Sequence, residues 1–228
     1  MSNNSSSPEA ERQLAPVLGV QEGLVTIDVS KVPVMKNEVG YILVGEERLK
    51  AEVLRVQGDS ADMQVFEETD GVKVGDLVEL TGEMLSVALG PGLLGQVFDG
   101  LQMPLTALAE SHGIFLPRGV EVGALNPTKK WKFEPSAAIG ASLVAGQVIG
   151  SVTEGPFEHK IMVPFDEKAQ VELSWIRGGS FTVEDPVARI KRANGEEREV
   201  TMVQRWLSYD ADKAKLRFQE LVTEVTRE

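Results

Sequence analysis

The stretch Leu89–Leu105, LGPGLLGQVFDGLQMPL, sets the tightest limit on how this chain can fold, because it places four Gly and two Pro among apolar side chains. Glycine in a helix or strand interior costs backbone entropy, and proline removes an amide donor, so neither regular element accommodates such a density. The apolar residues between them argue equally against a freely solvated loop. The combination suits an elbow, in which the chain leaves one β domain and passes closely packed backbone on its way to another. Gly90, Pro91, Gly92, Gly95, Asp99, Gly100 and Pro104 are its candidate structural residues.

A glycine-rich elbow invites comparison with a phosphate-binding loop. Such a loop needs a Lys to reach the β- and γ-phosphates and a Ser or Thr to hold magnesium. The spacing from Gly90 to Gly95 fits, but Gln96 and Val97 follow, and no Gly-Lys dipeptide occurs anywhere in the sequence. The glycines therefore read as turns, and no catalytic, cofactor-binding or metal-binding residues are assigned.

Charge narrows the partners. With 23 basic against 35 acidic residues the net charge is -12, which argues against nucleic acid and would repel an anionic membrane surface. There is no cysteine, hence no disulfide framework and no thiol chemistry. No stretch approaches the ~18 apolar residues of a membrane span, so any membrane association is expected to be indirect.

Along the chain, residues 1–16 are polar and Ser-rich and read as a disordered tail. Residues 17–80 carry short β-type runs (GLVTIDVS, GYILVG, KAEVLRVQGDSADMQVFEE, VGDLVEL) punctuated by Gly58-Asp59 and Asp70-Gly71, the pattern of a small closed barrel. The elbow occupies 81–111. A second β-rich region spans 112–185, with corners at Gly140, Gly146 and Gly150, and is reminiscent of barrel-sandwich hybrids. Return strands fill 186–207: VARIKR, a turn at Asn194-Gly195, and EVTMVQRW ending at Trp206. In 208–228 the period changes, with Ala214, Phe218, Leu221, Val222 and Val225 on one face and Asp210 and Asp212 at the start, predicting a C-terminal amphipathic helix. The fold class expected is mainly β: a barrel, a second β domain and that helix.

Other chemistry is thin. A carrier domain would need a Lys at a hairpin tip, and the candidates Lys160 and Lys168 lie in an apolar run and a charged loop. His112 and His159 are far apart without a second ligand at metal spacing. The pairs Glu67-Glu68 and Glu196-Glu197 are adjacent, and neighbours on a strand point to opposite faces. Trp131, Trp175 and Trp206 read as core or interface anchors.

The elbow, the upstream QVFEETDGVKVGDLV (Gln64–Val78) and the downstream EHKIMVP (Glu158–Pro164) together closely resemble the catalytic A (alpha) subunit of the V-type and archaeal A-type rotary ATPases. The resemblance runs from about Gly23 to Trp206, with its motifs in family order. It implies that residues from Leu18 to Leu80 form the barrel of the crown, and those from Pro117 to Val183 the bulge, or non-homologous region. It implies the B subunit and peripheral stalk as partners, and a cytoplasmic place peripheral to the membrane through a complex. ATP and magnesium belong to the full family member, whose nucleotide site lies further along its chain; no cofactor is expected here. The sequence departs from the family at WLSYDADKAK, where a run leading into the ATPase core would follow, and at Met103, where the elbow usually has Arg before Pro-Leu. The expected role is a structural and assembly part of the rotary ATPase A subunit, coupled to ion transport only within the complex and monomeric alone. A catalytically dead regulatory or decoy homologue and an unrelated β-barrel binding module are the alternatives.

Overall fold

The computed structural model describes residues 13–113 and 118–207. They divide into two compact units: 13–86 with 118–121 and Leu207, and 87–113 with 122–206. The expected C-terminal helix over 208–228 lies outside the described residues.

The first unit is a closed six-stranded barrel. Its strands are β1 (Gln13–Gln21), β2 (Leu24–Asp28), β3 (Glu38–Val44), β4 (Glu47–Gln57), β5 (Ser60–Val65) and β6 (Leu77–Met84), in the order β1-β2-β5-β4-β3-β6, with β6 returning to β1. Closure removes the exposed edges that a flat six-stranded sheet would present. Strict alternation sends Val25 and Ile27 inward from β2, Ala61, Met63 and Val65 from β5, and Leu49, Ala51 and Val53 from β4, as the period of two requires. Hairpin turns lie where the dipeptides marked them: Gly58-Asp59 joins β4 to β5, and Gly71 has φ +84°. The first strand opens at Gln13, four residues inside the segment that composition assigned to the tail, because Ala15 and Val17 are needed to fill the barrel interior.

One buried charge closes the barrel's end. Glu38 is only 1% exposed, and its carboxylate accepts the Met35 N–H at 2.9 Å and the Gly82 N–H at 2.8 Å. A carboxylate holding two backbone donors in this way satisfies them and itself, which is what makes its burial tolerable.

The second unit begins at Val87 within β7 (Ser86–Leu89) and holds, beyond the elbow, α1 (Leu105–His112), a helix the sequence reading did not anticipate. Two four-stranded sheets follow. One runs β11 (Phe157–Met162), β10 (Val148–Glu154), β8 (Trp131–Pro135), β13 (Gly179–Phe181), and the other β15 (Glu197–Val200), β14 (Ala188–Lys191), β12 (Val171–Ile176), β9 (Ser142–Leu143). They share one core, in which Phe133, Ile149, Leu173, Val187 and Ile190 are nearly inaccessible. The run EVTMVQRW is not one strand: β15 ends at Val200, and β16 (Gln204–Leu207) pairs instead with β7. The return strands β14 and β15 are therefore integral to the second unit's sheet.

Candidate functional site

The elbow is held by side chains at three points. First, Glu154, at the end of β10 and 7% exposed, points one carboxylate oxygen at the glycine-rich backbone. Its Oε1 accepts the Gly92 N–H at 2.7 Å and the Leu94 N–H at 3.2 Å, while Oε2 lies 3.1 Å from His159 Nδ1 on the neighbouring β11. Second, Asp99 Oδ1 accepts the Leu101 and Met103 amides at 2.9 and 2.7 Å, the local turn chemistry for which Asp is suited. Third, the Gln102 carboxamide clasps Ala88 in both directions, Oε1 accepting its N–H and Nε2 donating to its carbonyl, each at 2.7 Å. Gln102 takes φ +64° to do so, a left-handed conformation uncommon outside glycine.

The candidate residues divide by what the backbone demands of them. Gly92 has φ +112°, and a Cβ there would lie 3.4 Å from the Trp131 ring; Gly95 has φ +77°; Gly90 is buried, and a Cβ would meet the Met202 carbonyl at 3.1 Å. Gly100 meets nothing within 4 Å and has no positive φ, so its glycine is not required by the fold. Pro91 and Pro104 are buried, and Pro104 stands at the N-cap of α1, where its missing amide costs no helix bond. At Met103 the backbone N–H donates to Asp99 Oδ1 at 2.7 Å and the carbonyl accepts the Asp99 N–H at 3.1 Å. The turn is therefore closed by one bond to the Asp99 side chain and one between main-chain groups.

The remaining candidates scatter. His159 pairs with Glu154 and not with its neighbour Glu158, which accepts the Ser151 hydroxyl at 2.6 Å. His112 is the last residue of α1, its Nδ1 2.8 Å from Ser111 Oγ. Lys160 lies inside β11, whereas the β10–β11 hairpin turns at Gly155-Pro156, so it does not occupy a carrier-type tip; Lys168 is exposed in the irregular stretch between β11 and β12. Glu67 accepts the Gly119 N–H, and Glu196 and Glu197 pair with Arg192 and Arg189 respectively, so neither acidic doublet converges on one point. Trp131 is core, Trp175 is half-buried, and Trp206 meets Phe165 edge-on with ring centroids 5.2 Å apart. Among the described residues no group of three acidic or His side chains could hold a metal ion, and no helix is long and apolar enough to cross a membrane.

Sequence reasoning missed Glu154 and Gln102. A signal existed for Glu154: it follows the buried Val152 by two positions on β10, so the period of two turns it to the core side.

A closed six-stranded barrel followed along the chain by a unit whose two four-stranded sheets share one core defines a class of two-unit β protein, and sequence comparison gives that class its family. Residues 15–82 match the beta-barrel domain of the ATP synthase alpha/beta family, and residues 122–207 match the ATP synthase alpha/beta subunit barrel-sandwich domain. The chain belongs to the ATP synthase alpha/beta family. Within it, the chain is 50% identical over 191 residues to V-type ATP synthase alpha chain 1 of Treponema pallidum, covering 83% of this chain and 32% of that protein. The V-type ATP synthase alpha chain of Treponema denticola is 47% identical over the same extent, and that of Protochlamydia amoebophila is 46% identical over 174 residues, 76% of this chain and 29% of the relative. The chain thus spans about a third of the length of the relatives it matches.

Proposed function

We propose that this chain is a structural and assembly part of a V-type rotary ATPase alpha subunit, contributing to ATP-coupled proton or sodium transport only inside the complex and binding no nucleotide itself. The observation that carries the reading is the 50% identity to a V-type ATP synthase alpha chain over a stretch that takes in both β domains and the elbow. The elbow's chemistry agrees with it: its Gly92, Leu94, Leu101 and Met103 amides are occupied by the carboxylates of Glu154 and Asp99, so these four are not free to cradle phosphates, and no Lys follows the glycines at phosphate-loop spacing. The barrel's outer surface supports a partner-bound life. Leu14, Leu18 and Val20 of β1 are 40%, 50% and 36% exposed, and Leu77 of β6 sits opposite Pro16, an apolar strip of the kind that marks protein contact. The partners are other subunits of the rotary complex, among them the B subunit and the peripheral stalk, and the chain is cytoplasmic and peripheral to the membrane through them. Calorimetric titration of the chain with magnesium-ATP tests the absence of a nucleotide site. The expected result is no saturable heat, and binding in the micromolar range would overturn the reading.

A further inference from the structure

Residues 118–121 belong by their contacts to the barrel unit although more than thirty positions separate them from its last strand. Their attachment is polar and dense. The Arg118 guanidinium donates from Nε to Glu47 Oε2 at 3.0 Å and from a second nitrogen to the same carboxylate. It also reaches the Glu68 carbonyl at 3.2 Å and the Asp70 carbonyl. The Gly119 N–H donates to Glu67 Oε2 at 2.6 Å. Two residues on, the Glu121 carboxylate accepts Lys50 Nζ at 2.9 Å and the Tyr41 hydroxyl at 3.1 Å, with Arg48 stacked 4.4 Å over the Tyr41 ring and itself bound to Glu79.

We propose that residues 118–121 are an electrostatic strap that docks across the β3–β4 turn and the 66–71 loop and holds that end of the barrel rigid. On this assignment the barrel is a two-segment domain, larger than the 15–82 matched by sequence. Three observations make the strap a fitted part and not a passing loop. One arginine spans two loops that are not adjacent in sequence, using its planar fork on Glu47 and its remaining donors on two carbonyls of the 66–71 loop. Gly119 has φ +75°, and a Cβ there would stand 3.2 Å from both the Arg48 amide nitrogen and Glu47 Cβ, so the backbone itself is in contact. The contact at Glu121 lies further along the same β3–β4 ribbon, at Tyr41 and Lys50 instead of Glu47, so the strap is fastened at both of its ends. Single exposed ion pairs contribute little, but a network fixed at several points through a short rigid segment acts as one clasp. The strap is independent of the assembly role, since it requires no partner.

Hydrogen–deuterium exchange read by mass spectrometry on the full chain tests this. Arg118→Ala should speed amide exchange in 45–50 and 66–71 by about tenfold while leaving 171–176 in the second unit within about twofold of the parent. Arg118→Lys, which keeps the charge but loses the fork, should fall between the two. In the parent protein, raising salt to ~1 M should accelerate the same two segments selectively, because screening weakens exposed pairs; this arm decides the matter if Arg118→Ala fails to fold. The strap is refuted if exchange in 45–50 and 66–71 is unchanged by Arg118→Ala, if it rises equally in both units, or if it does not respond to salt.

Discussion

The residue whose removal the fold should feel most is Glu154, a carboxylate that sequence reasoning passed over. Replacing it with Ala leaves the Gly92 and Leu94 amides and His159 without their partner, and each orphaned donor costs ~1–3 kcal/mol. Glu154→Ala should lower stability by about 2–4 kcal/mol in urea unfolding, and Glu154→Gln, which retains one acceptor oxygen, by about half that. The elbow glycines should separate by their geometry. Gly92→Ala must take φ +112° and should cost about 1 kcal/mol or more, whereas Gly100→Ala should stay within ~0.5 kcal/mol of the parent. Equal melting temperatures for the two variants would contradict the observed backbone. Tyr41 carries a pH signature. Its hydroxyl is pushed up to about 12, first by burial and then by the Glu121 carboxylate it bonds, with Arg48 opposing. A raised value means that the neutral form is favoured by folding, so this contribution is whole below pH 10 and is lost as pH climbs toward 12. Fluorescence-detected unfolding should show an alkaline loss of stability in that window, and Tyr41→Phe should remove its Tyr41 component.

At the scale of elements, the loop after β11 is tied to the β14–β15 hairpin by charge. Glu167, 8% exposed, receives a two-point grip from Arg192 at 3.0 and 2.7 Å and a third bond from Arg198 at 2.7 Å, while Arg198 also holds Asp166. Arg192 above all, against the opposing effect of burial and with help from Arg198, holds the Glu167 carboxyl below its ordinary value. A depressed value contributes stability above the unfolded pKa that disappears as pH falls through the folded one, so this contribution should drop away below about pH 4.5. Glu167→Gln should flatten that part of the acid unfolding curve and destabilise the second unit at pH 7; an unaltered curve would show that the network is ornamental. Much of the element inventory was legible in the chain. Val25 and Ile27 alternate against Thr26 and Asp28, Met63 and Val65 against Asp62 and Gln64, and Gly58-Asp59 and Asn194-Gly195 turn the chain where such dipeptides turn it. What escaped had weak or non-local signals. The α1 helix is short, begins at a proline with no side-chain cap, and has no acidic residue in its first turn. Strand β16 leaves its sequence neighbour β15 to join β7, more than a hundred residues earlier. The buried carboxylates Glu38 and Glu154 look like solvated charges until the amides they serve are placed beside them.

At the scale of the whole molecule, sequence motifs foresaw the family correctly, because three separated stretches had to occur together and in order, and the pairing of a closed barrel with a barrel-sandwich domain follows from it. The elbow was legible from its glycines, whereas the side chain that fastens it within the second unit was not, since Glu154 lies some sixty positions further along the chain. The proposed role makes this chain an assembly part whose net charge of -12 keeps the isolated protein apart from its own copies by repulsion, so that alone it is expected to be a monomer in light scattering. The central claim, that the chain functions as a subunit part of a V-type rotary complex, is tested most directly by size-exclusion chromatography with light scattering on the chain mixed with the B and peripheral-stalk subunits of such a complex. The account predicts a monomer alone and a shift of the chain into a larger species of defined mass when those subunits are present. Elution at the monomer position in every mixture would contradict it.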